Sequence, residues 1–418
     1  MTLACQGIPW PEIIALMYKN PLNLGQRLKT DSVIGVDPAR KTVYTLSLMS
    51  FITWFTYTSI TPTLAVHLLD ENSPTWMLGI LVTIAGLTGT MIGAPLGIIG
   101  DRTSLGKLIS IGMVLRIIPF GLLAAFALTP FVSIATVAIF GLLNPFVIML
   151  GYLWISRNSD ARGADIGTFS AAPWAAAIFG PLFGMYIISN FGFRWLCIIG
   201  AVLSLLLFPL SLGISDKVPK KVHVVSMFKE HRTFVAFYII IAILVDATVF
   251  FYAPYWMYIG HNLGADESMI RMGLSFVSLM VALSTKLSGN LCDSIGRYKV
   301  TYAGYVLMAI MVLLMPFAWS FTILVTFYSL AKFSECFAET GISVLLSDAP
   351  DEMRGSLSAA TGWISAGLGV VFAALSGMMI DRYGILPSYI ISASLIMVMI
   401  LTFAMARPRI AKSLVKAR

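Results

Sequence analysis

Five ionisable residues sit inside stretches otherwise too apolar for them: Arg116, Asp246, Lys332, Glu335 and Glu339. A charge facing hydrocarbon costs about 2.5–3.5 kcal/mol even on lenient scales, so each is expected to face another charge or a wet cavity. Lys332, Glu335 and Glu339 recur at i, i+3 and i+7 and share one helix face, which Tyr328 extends by a turn. Desolvation and neighbouring acids would let a carboxylate there hold and release a proton, which makes Asp246, Glu335 and Glu339 candidate proton carriers. Lys332 beside them opposes protonation and could free the proton when a substrate engages it. The competing reading is a fixed ion-pair network, in which Lys332 and Glu335 are structural even if Glu339 or Asp246 carries the proton. Arg116 either pairs with an acid or binds an anionic substrate. Trp54, Tyr57 and Thr61, at i, i+3 and i+7, form a face that stacks an organic substrate or packs against lipid and neighbouring helices. Asn144 is a further polar candidate.

The elements that must position these groups follow from composition. Of 418 residues, 58% are hydrophobic and only 11% charged, against roughly a quarter charged in soluble domains. A bilayer crossing takes about 20 apolar residues, and twelve such runs are present. Their predicted limits are 43–69, 76–99, 105–128, 131–156, 166–188, 194–214, 233–260, 268–288, 299–319, 321–346, 355–380 and 384–406. The predicted organisation is an N-terminal segment 1–42, a six-helix bundle 43–214, a polar linker 215–232, a second six-helix bundle 233–406 and a tail 407–418. Segment 1–42 reads either as an interfacial helix or as a loose tail. The first 20 residues lack the basic start and clean apolar run of a signal peptide, so the spans themselves are expected to direct insertion.

With a cytoplasmic N-terminus, 23 of the 28 Lys and Arg residues fall on the inner side. This is the positive-inside pattern, with both termini cytoplasmic. The net charge of +8 is thereby a topology signal and no nucleic-acid footprint. Cys5, Cys197, Cys292 and Cys336 have no paired spacing, and the four histidines have no partner at metal-ligand spacing. No phosphate loop is present. No cofactor or metal is expected, and the energy source is expected to be an ion gradient.

The chain repeats itself. Asp293 follows Asp101 by 192 residues, Arg354-Gly355 follows Arg162-Gly163 by 192, and Gly384 follows Gly192 by 192. Two copies of one unit therefore stand head to tail. Each aspartate opens a charged loop after an apolar run. A carboxylate there can meet a neighbouring helix N-terminus, or Arg157 or Arg162 of the next loop, and so lock one face. Its simpler role is to end a helix.

The pattern Gly289-x-x-x-Asp293-x-x-Gly296-Arg297-x-Lys299 resembles the signature loop of the major facilitator superfamily. The first copy matches at Gly97, Asp101 and Arg102, then departs, with Ser104 and Leu105 where Gly and Arg are expected. Pro62-Thr63-Leu64, Arg162-Gly163 and Arg354-Gly355 are also similar to that family, over nearly all of 43–406. The resemblance implies an all-α membrane protein of twelve spans in two six-helix bundles, related by a pseudo-two-fold axis along the membrane normal and working by alternating access. It implies that spans one, four, seven and ten line a central cavity, where Asp246 and the span-ten stripe would meet. Gly97, Asp101, Arg102, Arg162, Gly289, Asp293, Arg297 and Arg354 would then form gates. Gly180-Pro181-x-x-Gly184 in span five permits close helix contact and is similar to an exporter motif of the same superfamily, with Ala176 in place of its leading glycine.

These features predict a monomeric proton-coupled exporter of a small polar or zwitterionic compound, such as a drug-like molecule or a metal chelator, in a bacterial inner membrane. The alternatives are a proton-coupled importer of a nutrient or organic anion, and a transport-inactive receptor on the same scaffold.

Overall fold

In the computed structural model the described residues are 38–100, 103–126, 128–159, 162–214, 232–346 and 351–416, and every regular element among them is helical. Among the described residues, ten segments are long and apolar enough to cross a membrane. Pro38–Asp70 and Asp351–Tyr383, the first and eleventh spans, are helices of 33 residues each, the first diluted in hydropathy by Thr and Ser. Two ends differ from the sequence prediction. The first span opens at Pro38, whose fixed φ suits a first helical turn, so residues 38–42 are helical, and 1–37 lie outside the described residues. The last helix, Ile385–Lys416, runs through most of the predicted tail. Of the linker 215–232, only Arg232 is described, as the first residue of the seventh span.

Several spans break beside a proline, although Pro62, Pro95, Pro173 and Pro181 lie within unbroken helices. A proline cannot bond the carbonyl four residues earlier. Pro119 therefore frees the Leu115 carbonyl, and the third span divides at Arg116 into Leu105–Leu115 and Ile117–Ala125. Pro145 sits in the turn Asn144–Phe146 that divides the fourth span. Pro254 does the same in the seventh, which runs Arg232–Tyr252, turns at Ala253–Tyr255 and resumes as Trp256–Asn262. Asn144 lies in one of these breaks, and Trp256 immediately after another.

The internal repeat is visible in the backbone. Gly192 and Gly384 end equivalent helices at φ 88° and 81°. Their N–H groups bond the carbonyls of Ile188 and Ile380 at 3.0 and 2.9 Å. Only glycine takes this left-handed turn without strain. The repeat also diverges where the sequence does. Gly296, in the second charged loop, is left-handed at φ 96°, whereas Ser104 at the matched position is extended.

Packing between the spans relies on small residues and hydroxyls, because lipid offers apolar side chains as good a home as a neighbouring helix does. The Ser59 hydroxyl donates to the Gly180 carbonyl at 2.8 Å, joining spans one and five. Those of Ser392 and Ser376 reach the Thr248 and Phe251 carbonyls at 2.9 and 2.8 Å, joining spans seven, eleven and twelve. The halves meet through span two against span eleven and span five against span eight. One buried apolar cluster runs across that seam, with Ile60, Leu64 and Leu78 from the first half and Tyr255, Trp256 and Ile270 from the second. All of these lie toward the face that carries the turn between spans one and two, termed here the distal face.

Candidate functional site

A cavity of about 310 Å³ lies between the halves. Tyr57, Thr58 and Thr61 of span one, with Leu81 and Val82 of span two, form one wall. Phe250 and Trp256 of span seven and Tyr328 and Lys332 of span ten form the other. Trp256 stacks nearly parallel on Tyr328, with ring centroids 5.0 Å apart and planes 14° from parallel. Most of the lining is apolar.

The span-ten charges are paired there. The Lys332 ammonium donates to both Glu335 carboxylate oxygens, at 2.9 and 2.8 Å, and lies 5.8 Å from the centre of the Tyr252 ring. Tyr252 donates its hydroxyl to Glu335 Oε2 at 2.8 Å, and Tyr389 holds the Tyr252 carbonyl at 3.1 Å. Glu335 is 9% exposed; Lys332 stands between it and the cavity, being the one of the pair that lines it. Glu339, one turn on, is exposed. Asp246 belongs to the seventh span one turn before Val249 and Phe250, and its side chain lies outside the described residues.

Of the aromatic stripe on span one, Tyr57 and Thr61 reach the cavity. Trp54 stands behind, edge-on to Tyr57 at 5.7 Å, with its buried Nε1 unpaired. The structure places Arg116 and Asn144 elsewhere. Arg116 is 1% exposed inside the first half. Its Nη1 donates to Asn144 Oδ1 at 3.0 Å, its Nη2 to the Thr53 carbonyl at 2.8 Å, and Phe140 lies beneath its guanidinium at 5.4 Å. Among the described residues no carboxylate is its partner. Arg116 and Asn144 tie spans one, three and four together and do not line the cavity.

A second polar node joins the halves at the distal face, and its central residue escaped the sequence reading. Arg271, at the start of span eight, is 1% exposed. Its Nε donates to Glu267 Oε1 at 2.9 Å, and its Nη1 to the backbone carbonyls of Ser59 at 2.7 Å and Pro181 at 3.3 Å. Its Nη2 donates to the Thr63 hydroxyl, which itself donates to Glu267 Oε1 at 2.7 Å. A planar fork with five donors suits this arrangement. Two further bridges flank it. Asp381 accepts from the Thr75 N–H at 3.1 Å and from its hydroxyl. His261 meets Asp70 at 3.0 Å. The i, i+4 spacing of Glu267 and Arg271 was the only trace of this latch in the sequence.

The exporter-like motif of span five abuts that latch. A Cβ on Gly180 would strike the Thr58 hydroxyl, and one on Gly184 would strike both the Arg271 guanidinium and the Ser59 carbonyl. Gly184→Ala is therefore expected to cost about 1–3 kcal/mol from overpacking, read as a lowered melting temperature of the purified protein. Gly121, whose Cβ would meet nothing within 4 Å, is the matched control.

The charged loops are described only in part. Asp101, Arg102 and the side chains of Arg162, Asp293, Arg297 and Arg354 lie outside the described residues, as does the surroundings of Gly289. Gly97 packs toward Met149 of span four, whose Cε a Cβ would approach to 2.9 Å. Arg157, one expected partner of Asp101, donates to the Gly100 carbonyl at 3.2 Å and so caps the end of span two.

The sequence profile of the Major Facilitator Superfamily matches residues 46–257 and again 235–417. No curated protein matches the chain. Among solved structures, a bacterial homologue of the human lysosomal transporter Spinster, inward-facing and occupied, superposes with a TM-score of 0.72 at 13% identity, over 90% of this chain and 98% of that one. The nucleoside transporter NupG superposes at 0.71 with 17% identity, over 87% and 98%. A POT family transporter in complex with 5-aminolevulinic acid superposes at 0.70 with 14% identity, over 88% and 96%. At such identities the likeness speaks for the fold alone.

Proposed function

The chain belongs to the Major Facilitator Superfamily, and from that premise we propose that it is a proton-coupled exporter of a small organic compound, working by alternating access. A transporter in a membrane is what family and fold give; coupling ion, direction and cargo are the reading offered here. The observation that carries it is the Lys332–Glu335 pair bordering a cavity to which both halves contribute. A buried pair resists solvent and is costly to break from one side only. A proton arriving on Glu335 breaks the pair and releases Lys332, so a cargo that needs Lys332 where the intact pair holds it competes with the proton for one arrangement. Tyr252 supplies a hydroxyl already aimed at the carboxylate. Glu339 and Asp246 are proposed to pass the proton between that carboxylate and the bulk.

The distal latch supplies the gate on one side. Asp101, Arg102, Arg162, Asp293, Arg297 and Arg354 are proposed as the gate on the side of the termini, which the distribution of basic residues assigns to the cytoplasm. Export over import rests on Gly180-Pro181-x-x-Gly184. In everted vesicles energised with a proton gradient and fed a metabolite extract, at least one small organic compound should accumulate relative to vesicles lacking the protein, and an uncoupler should abolish that gain. Accumulation indifferent to the uncoupler removes proton coupling. Accumulation only in right-side-out vesicles makes the protein an importer, and binding without movement makes it a receptor.

A further inference from the structure

The cavity itself narrows the cargo. The sequence prediction of a polar or zwitterionic compound leaned on charges of both signs, and the structure pairs two of them, Lys332 and Glu335, with each other. Lys332 gives two of its three N–H bonds to Glu335, and Glu335 sits behind it. What faces the space is aromatic and aliphatic: Phe250, Trp256, Tyr328 and Tyr57, with Leu81 and Val82 opposite. Trp256 and Tyr328 are locked as a flat double layer, and Phe321 backs Trp256 at 6.4 Å and 30°. Few polar groups remain for a ligand. The third Lys332 N–H is one. The hydroxyls of Tyr57, Thr61 and Tyr328 are the others, since none of the three donates or accepts a hydrogen bond among the described residues. All four can donate, two from each half, and the one full charge among them is positive.

We propose that the cavity binds a flat aromatic or heteroaromatic molecule that carries a hydrogen-bond-accepting, neutral or singly anionic edge. Its ring lies between the half-buried Phe250 and Tyr57 rings, and its edge bridges Lys332 and Tyr328 to Tyr57 and Thr61. Offset stacking on those rings favours a planar ring over a saturated one of equal bulk. Among the described lining residues no carboxylate awaits an organic cation. This inference rests on the transport reading for its importance, but it can fail separately.

The test is direct binding to the purified protein in nanodiscs without any gradient, followed by tryptophan fluorescence and calorimetry. Three probes are compared: 2-naphthoate, its saturated counterpart decahydro-2-naphthoate, and 2-naphthylmethylammonium. The expected order places 2-naphthoate about 3- to 10-fold tighter than the saturated acid, the range that ring stacking supplies, with the ammonium weakest. Phe250→Leu should bring the planar and saturated acids to equal affinity. Should that variant fail to fold, the wild-type series decides alone. Equal or stronger binding of the saturated acid, preference for the ammonium, or no binding of 2-naphthoate would each overturn the inference. All three outcomes leave the transport reading standing. Conversely, naphthoate binding in the expected order without any gradient-driven flux of a transported compound would remove transport and keep the site.

Discussion

Glu335→Gln should abolish gradient-driven accumulation while exchange of cargo down its own gradient continues. Glutamine keeps the shape and can still accept from Tyr252, but it cannot cycle a proton and no longer balances Lys332. A buried charge left without its partner costs about 3–5 kcal/mol, so the single variant should also lose stability. Both groups are shielded, with side chains 18% and 11% exposed for Lys332 and Glu335, so solvent screening does not remove the penalty. A Lys332→Met/Glu335→Met double variant removes both charges. It should recover most of that stability, as replacing a buried pair by apolar residues is often neutral or favourable. It should remain uncoupled. Stability and coupling thus separate within one cycle, measured by thermal unfolding and by uptake into proteoliposomes. If the Glu335→Gln protein still accumulates cargo against its gradient and still responds to an uncoupler, the proton is carried elsewhere.

Arg271→Lys should unlatch the distal face. Lysine keeps the charge but is a point donor without a fork, and cannot serve Glu267, Thr63 and the Ser59 and Pro181 carbonyls together. Hydrogen bonds from a charged donor contribute about 1.5–3 kcal/mol each. Losing even one shifts an equilibrium between closed and open faces by roughly one to two orders of magnitude. Spin labels at the exposed positions 71 and 262, one on each half beside the latch, report the gap on a background without the native cysteines. The Arg271→Lys protein should show a longer-distance population than its parent. The same short distance in both would mean that Arg271 merely packs there. Asp381→Asn, at the flanking bridge to Thr75, should act in the same direction and more weakly, since that bridge joins a carboxylate to one backbone N–H and one hydroxyl.

The parts of this molecule that the sequence betrayed are those whose physics is local or periodic. Charges in apolar runs, the i, i+3 spacing of Lys332 and Glu335, and the 192-residue repeat all involve a chain compared with itself. Gly192 and Gly384 share one backbone conformation because the same helix end is built twice. Even the departure at Ser104 marked a true difference of backbone from Gly296. What stayed hidden is long-range. Nothing in the sequence set Arg271 apart except Glu267 four residues before it; its partners Ser59, Thr63 and Pro181 lie 90 or more residues away. Arg116 was legible as an anomaly, but its neutral partners Asn144 and the Thr53 carbonyl were not. A guanidinium can be held by carbonyl dipoles, which every residue carries and no sequence distinguishes. Trp256 was missed because it follows a break that Pro254 creates, so the helical register running up to Tyr252 does not carry through to it.

The central claim is that the space between the halves opens to each side of the membrane in turn. The most direct measurement is the reactivity of a single cysteine at Thr61, on the cavity wall, toward a membrane-impermeant maleimide applied to either face of sealed vesicles. Alternating access predicts modification from both faces in the free protein. It predicts modification only from the face of the termini once the distal latch is cross-linked shut. A cysteine that reacts from neither face, or from one face whether or not the latch is closed, would contradict it.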